Sequence, residues 1–294
     1  MPSGRLKILT MESKKNSHVY LICWVVALRA EATPIIKIFN LQKIQTQTSF
    51  SIYANQELGH ALIISGVGAI KSAAATSFLK AYLNIGSFAA WINLGIAGYH
   101  KEPIGKIYQA IKVSSQEHCR TFFPGFRFSK IIEHTSLLSV TKAELEYKKP
   151  ALYDMEAFGF CEVASAFSCN ELIFVFKIVS DTPKSSLENL TKSVIEDLVN
   201  NNLSTINQLL SEINKLSIIE MERLSIPQEV TELEDLIHFS RTNSIKFRNL
   251  YKKWKYVNSE KTLKGLHLSK KTAKEIIKFL EEDISSNKST RDYL

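Results

Sequence analysis

The stretch VYLICWVVAL at residues 19–28, followed by RAEA at residues 29–32, decides how the rest of the chain is read. It is an unbroken apolar run rich in β-branched and aromatic residues, the pattern of a strand covered on both faces. The run also mimics a secretory signal, because Lys14 and Lys15 precede it and Ala27, Ala30 and Ala32 follow. Against that, a polar lead of eighteen residues comes first, Arg29 and Glu31 stand where small residues belong, and Pro34 opens the next segment. A buried first strand is the better account.

Outward from this run the pattern alternates. Ser49–Tyr53 and His60–Ser65 read as strands, and Ile70–Leu83 has helical spacing after a Gly-rich turn. Phe88–Leu94 is a strand ending in Gly95 and Gly98, and Ile107–Val113 is another. Met155–Phe167 reads as a buried helix, Leu172–Val179 as a strand and Leu187–Leu210 as an amphipathic helix. Strands alternating with helices predict an α/β fold, a three-layer helix-sheet-helix with a mixed central sheet. Beyond about Ile219 the strands stop. Pro227 breaks the chain, and Ser269 is placed to cap a helix carrying Ala273, Ile276, Ile277 and Leu280 on one face. The expected division is therefore an α/β domain at 1–217 and a basic helical region at 218–294.

Composition narrows the class. Of 294 residues, 45% are apolar and 22% charged, which suits a globular protein and excludes a disordered one. Eleven Gly and seven Pro exclude collagenous or low-complexity chains. Cys23, Cys119, Cys161 and Cys169 form no C-x-x-C pair, which argues against a disulfide scaffold or a zinc site and suits a reducing, cytoplasmic setting. No apolar run reaches the ~18–20 residues of a spanning helix, so no membrane partner is expected. The net charge is +8, but residues 241–278 alone carry +10, and the remainder is slightly acidic.

Three segments fall at the C-terminal ends of predicted strands, where α/β folds place their sites. They are Ala27–Glu31, the Gly turns Ser65–Gly68 and Asn93–Gly98, and the pair Asp154-Met155-Glu156 with Ser180-Asp181. Each has a plain structural reading. Gly turns are most often just turns, acids at a helix start answer the helix dipole, and Asp181 before Thr182-Pro183 is a turn former. Scattered His60, His100, His118 and His134 have no ligand spacing.

Order and spacing together carry more. VVALRAEA (25–32), ISGVGAIKSAAAT (64–76), INLGIAGY with IGKIYQAIKV (92–113), DMEAFGF (154–160) and VFKIVSD (175–181) resemble the nucleoside phosphorylase superfamily. The resemblance is nearest to its methylthioadenosine/S-adenosylhomocysteine nucleosidase branch and covers about residues 18–215. It implies hydrolysis of the N-glycosidic bond of a purine nucleoside, with no cofactor and no metal, in a homodimer. By resemblance Asp181 is the acid that protonates the leaving base, and Glu31 activates water. Glu156 holds the ribose hydroxyls and Met155 packs on the sugar. Gly98, Ser180, Lys177 and Val140, the last within a base-lining strand at Leu137–Thr141, complete the binding set. The chemistry needs such groups, because a purine anion leaves poorly and the sugar passes through an oxocarbenium-like state.

Some residues depart from the family pattern. Ile96 stands where a Ser is usual, Lys177 replaces an Arg, and the stretch before Asp154 is short. Glu31 stands where phosphorylases carry Arg, which favours water over phosphate, although Arg29 lies only two residues away. A phosphate-dependent phosphorylase, and a nucleoside-binding protein without turnover, stay open as alternatives. The basic 241–278 segment interleaves Lys and Arg with Phe247, Tyr251, Trp254 and Tyr256. That composition fits nucleic-acid contact through phosphates and stacking, or a small helical appendage with its own aromatic core.

Overall fold

The structure is a computed structural model that describes residues 19–288 apart from 102, 145 and 186–189, with side chains to residue 286. Lys14, Lys15 and the first three residues of the expected helix at Leu187 lie outside the described residues. The chain divides into two compact units, Met1–Arg223 and Leu224–Leu294.

In the first unit the chain runs through β1 (Ile22–Val26), α1 (Arg29–Ile38), β2 (Gln42–Ile44), β3 (Ser51–Asn55), β4 (His60–Ile64) and α2 (Ala69–Tyr82). There follow β5 (Ala90–Tyr99), β6 (Ile107–Ser115), β7 (Thr121–Phe122), β8 (Glu133–Ser139), β9 (Leu152–Asp154) and α3 (Ala157–Ala164). The unit ends with β10 (Ile173–Asp181), α4 (Lys192–Asn200) and α5 (Leu203–Leu224).

All five residues of β1 are buried, as an apolar run with no polar face requires. Successive side chains point to opposite faces. Cys23 and Val25 therefore join one core, with Ala75 and Leu79 of α2 and Phe160 of α3. Ile22, Trp24 and Val26 join another, with Ile35 of α1, Val199 of α4 and Leu209 of α5. The apolar cluster on each face of the sheet is thus closed by helices.

The strands described form one mixed ten-stranded sheet. β4, β1, β5 and β10 are successive parallel neighbours, so their C-terminal ends emerge along one edge. Beyond β10 the order turns back through β6, β8 and β9 to β5. β10 is antiparallel to β6, and β9 antiparallel to β5. Because β10 also pairs with β5, these five strands close a ring at the same end of the sheet.

Several expectations are corrected. Pro34 lies inside α1 instead of opening a new segment. The strand expected to stop at Leu94 continues to Tyr99, because Gly95 and Gly98 are extended strand residues and not a turn. The expected helix 187–210 is two helices. α4 is capped by Thr191, whose Oγ1 accepts from Val194 N–H at 3.3 Å, and the break falls at Asn201–Asn202. α5 then continues to Leu224, which carries the division past the expected 217/218. No described helix is long and apolar enough to cross a membrane.

The second unit contains α6 (Gln228–Leu236), α7 (Arg241–Val257), α8 (Leu266–Ser269) and α9 (Ala273–Lys288). Phe247, Tyr251 and Trp254 of α7 are buried with Val230, Leu233, Ile276 and Leu280. The aromatic residues that the stacking reading needs are therefore core residues, and of the four only Tyr256 is exposed. Some of the positive charge is answered locally. Arg248 pairs with Glu234, Lys246 with Glu281 and Lys261 with Asp283. Thr272, not Ser269, caps α9. Its Oγ1 accepts from Glu275 N–H, while Glu275 Oε2 accepts from Thr272 N–H at 3.1 Å, a reciprocal capping box.

The α2–α3 contact depends on a missing side chain. A Cβ on Gly159 would lie 2.0 Å from the carbonyl oxygen of Ala69 at the start of α2. Gly159→Ala is expected to destabilise the first unit by about 1–3 kcal/mol, the usual cost of overpacking. A lowered thermal midpoint with unchanged far-UV circular dichroism checks this.

Candidate active site

The convergent strand ends deliver the polar groups. After β1 the chain enters α1 with Glu31 in its first turn, where a carboxylate answers unpaired helix N–H groups. Glu31 Oε2 accepts from Leu28 N–H and Oε1 from Ile96 N–H, both at 2.8 Å, so the side chain ties α1 to β5. Ile96 thus contributes a backbone donor where its side chain offers none. After β4 comes the turn with Gly66 and Gly68 at φ 83 and 108, a backbone that favours glycine. The Gly68 N–H donates to Glu156 Oε1 at 2.7 Å.

β9 and β10 bring the remaining groups. Lys177 is paired in register with Gly95, and Asp181 with Gly98. Lys177 Nζ lies 2.8 Å from Asp154 Oδ2, and both side chains are essentially inaccessible. Asp154 also accepts from Ser139 Oγ at 2.6 Å and from Ala157 N–H at 2.8 Å, tying β9 to β8 and to the start of α3. A Cβ on Gly95 would lie 2.9 Å from Glu31 Oε1 and 3.3 Å from Lys177 Nζ, so only glycine admits the ammonium and the carboxylate together.

These groups surround a cavity of about 170 Å³. Of the residues singled out in the sequence, Glu31, Gly98, Val140, Met155, Glu156, Ser180 and Asp181 line it. Lys177 does not. It lies fully buried among the carboxylates and reaches no cavity surface. Arg29 is also absent from the wall, being exposed with its guanidinium 4.9 Å over the Tyr53 ring. Val140 follows β8, which spans Glu133–Ser139 in place of the expected 137–141.

Tyr147, Tyr153 and Asp154 also line the cavity, in roles that the sequence did not reveal. Tyr147 donates to Asp181 Oδ2. It sits in a stretch without helical or strand period, so nothing local marks it. Asp154 was visible beside Glu156, yet its ion pair with Lys177 joins positions far apart in sequence.

Five acidic residues, Glu31, Glu144, Asp154, Glu156 and Asp181, line the cavity, the Asp154 carboxylate itself being inaccessible, and among the described lining residues there is no Lys, Arg or His. Burial pushes the Glu31 carboxyl above its ordinary range, opposed by Lys177 and by the N–H groups of Ile96 and Leu28. Glu156 is pushed up to about 7, first by burial and then by Asp154, with Lys177 and the Gly68 N–H opposing. Burial pulls Lys177 down, but Asp154, Glu156 and Glu31 outweigh it and hold the ammonium charged.

Removing one partner of a buried pair leaves an uncompensated charge. Lys177→Met and Asp154→Asn are each expected to cost about 3–5 kcal/mol. The double variant should cost clearly less than the two combined, which denaturant titration of all four proteins checks.

No protein-family model matches the sequence, and no curated protein matches it. Solved structures do match in fold. The Arabidopsis thaliana 5′-methylthioadenosine nucleosidase, in apo form, is similar at a TM-score of 0.55 and 15% identity, over 67% of this chain and 96% of that one. The Helicobacter pylori 5′-methylthioadenosine/S-adenosylhomocysteine nucleosidase, complexed with butyl-thio-DADMe-Immucillin-A, gives 0.53 and 15%, over 66% and 99%. The futalosine hydrolase of Helicobacter pylori gives 0.53 and 15%, over 66% and 98%. The chain thus carries, over about two thirds of its length, the fold shared by these three solved structures.

Proposed function

We propose that the first unit, a three-layer α/β domain, hydrolyses the N-glycosidic bond of a purine nucleoside of the methylthioadenosine or adenosylhomocysteine kind. The observation that carries this reading is the cavity wall, which holds several carboxylates and, among its described residues, no cationic side chain. A phosphate dianion entering it would meet carboxylates at the wall, and the Lys177 ammonium behind them is already engaged by Asp154, whereas water enters without that electrostatic cost. This favours hydrolysis over phosphorolysis.

We assign the roles that the resemblance implies, which the positions of the residues support. Asp181 at the end of β10 gives a proton to N7 of the base as the C1′–N9 bond breaks, so that a neutral purine leaves. Glu31, held by two backbone N–H groups, keeps a free lone pair to orient water and accept its proton as the new C1′–O bond forms. Glu156, fixed by Gly68 N–H, accepts from the ribose hydroxyls, and its charge favours the oxocarbenium-like sugar. Lys177 restrains Glu31, Asp154 and Glu156 from behind. The four cysteines are all free, in keeping with a cytoplasmic protein. Val67 at the cavity and Ile70 nearby are exposed apolar residues that a second copy in a homodimer would cover.

Chromatography of purified protein with 5′-methylthioadenosine, with and without phosphate, is the direct test. Free adenine is expected without phosphate, and Asp181→Asn is expected to lower turnover about 10²–10⁴-fold, the usual worth of a general acid. Release only with phosphate would make the protein a phosphorylase, and no release from any purine nucleoside would overturn the reading.

Glu156 gives a pH signature. Its carboxyl is charged only above about 7, and the ribose clamp needs the charged form. Accordingly kcat/KM is expected to rise with pH through about 7, and Glu156→Gln to remove that rise while lowering kcat/KM about 10–100-fold. A flat wild-type profile between pH 6 and 8 would contradict the assigned role.

A further inference from the structure

The phenol of Tyr147 stands where a leaving base has to meet Asp181. Its hydroxyl donates to Asp181 Oδ2, and Ser180 Oγ donates to Oδ1, so both oxygens of the carboxyl are engaged. The phenol end of the ring lies against Gly98. A Cβ there would be 2.4 Å from Cε1, Cζ and the hydroxyl oxygen of Tyr147. Tyr153 flanks the ring with centroids 5.2 Å apart, and Tyr147 is buried. A flat aromatic ring thus lies on a glycine floor with one polar atom on Asp181.

The backbone supports a functional reason for that placement. Tyr147 has φ 46, and among the described residues the other non-glycine positions with positive φ are Asn40 and Asn84. Each of those asparagines directly follows the C-cap of a helix, where the left-handed conformation is common and asparagine tolerates it. Tyrosine has no such tolerance, and Tyr147 follows no helix, so the cavity contacts hold it against a local preference. Burial, then the bond to Asp181, holds the phenol far above its ordinary range, so it remains a donor.

We propose that Tyr147 is a displaceable occupant of the base subsite: its ring fills the place of the leaving base and its hydroxyl takes the oxygen of Asp181 that protonates the base. The proposal rests on the hydrolase reading for what Asp181 does. A nucleoside gains the site only by outcompeting the phenol, so apparent affinity is reduced by the fraction of molecules in which Tyr147 is seated. Selection follows from the same competition. A purine brings a ring nitrogen, an acceptor, which takes over the contact when Asp181 holds the proton it gives to the base, whereas a base without such a nitrogen leaves the carboxyl with a lost partner.

Adenine binding by titration calorimetry to the full-length wild type, Tyr147→Phe and Tyr147→Ala is the test, beside 5′-methylthioadenosine hydrolysis and thermal melts. Tyr147→Phe keeps the ring and removes the hydroxyl. It is expected to bind adenine about 10-fold more tightly than wild type, the worth of a hydrogen bond to a charged group, with a matching fall in KM. Tyr147→Ala is expected to tighten binding too, and tightening in that variant alone assigns the competition to the ring. Unchanged or weaker adenine binding in both folded variants overturns the proposal. So does a fall in kcat with adenine affinity unmoved, which would make Tyr147 a positioning residue for Asp181. No adenine binding by any of the three also overturns it. Release of adenine by wild type in that case leaves the hydrolase reading standing. Tighter adenine binding in the variants without hydrolysis by any form keeps the Tyr147 assignment and removes the hydrolase reading.

Discussion

The buried ammonium of Lys177 is the constraint on which the site depends. Four carboxylates of the cavity, from Glu31, Asp154, Glu156 and Asp181, come from separate elements and are buried together. Like charges so placed repel, and burial penalises each of them. Lys177, reaching from the middle of β10 to Asp154 at 2.8 Å, lowers that penalty for three of them at once. Its own burial is tolerated only because those carboxylates surround it. The group therefore stands or falls as a unit.

The sheet makes such a unit possible. Parallel pairing of β4, β1, β5 and β10 puts four strand ends side by side, and the closure through β6, β8 and β9 brings Asp154 to the same place. Gly95 leaves the gap in which the Glu31 carboxylate and the Lys177 ammonium fit. Backbone N–H groups of Leu28, Ile96 and Gly68 hold Glu31 and Glu156, which spares these carboxylates from relying on long, flexible partners. A site assembled from rigid elements in this way is positioned before any ligand arrives.

The second unit follows a different logic. Its lysines and arginines make a strongly basic segment, in which folding sets Lys246, Arg248 and Lys261 beside acids of α6 and α9. Its aromatic residues are spent on a core of its own, with Trp254 Nε1 also donating to Asp283 at 2.7 Å. Composition described the charge of this segment correctly and the placement of its aromatic residues poorly, because composition does not reveal which residues face one another.

What the sequence by itself determined was the alternation of elements and the residue types at the strand ends. The apolar run at 19–28 is a doubly covered strand because it offers no polar face, and Glu31, Glu156 and Asp181 were marked by their place just beyond predicted strands and at helix starts. The tertiary structure alone decided that Lys177 is a buried counter-ion and not part of the cavity wall, that Gly95 and Gly98 are spacers within a strand, and that Tyr147 reaches Asp181. Each of these depends on pairing between segments distant in the chain. Local periodicity reports which face of an element is apolar, and it carries no information about which buried charge will meet which.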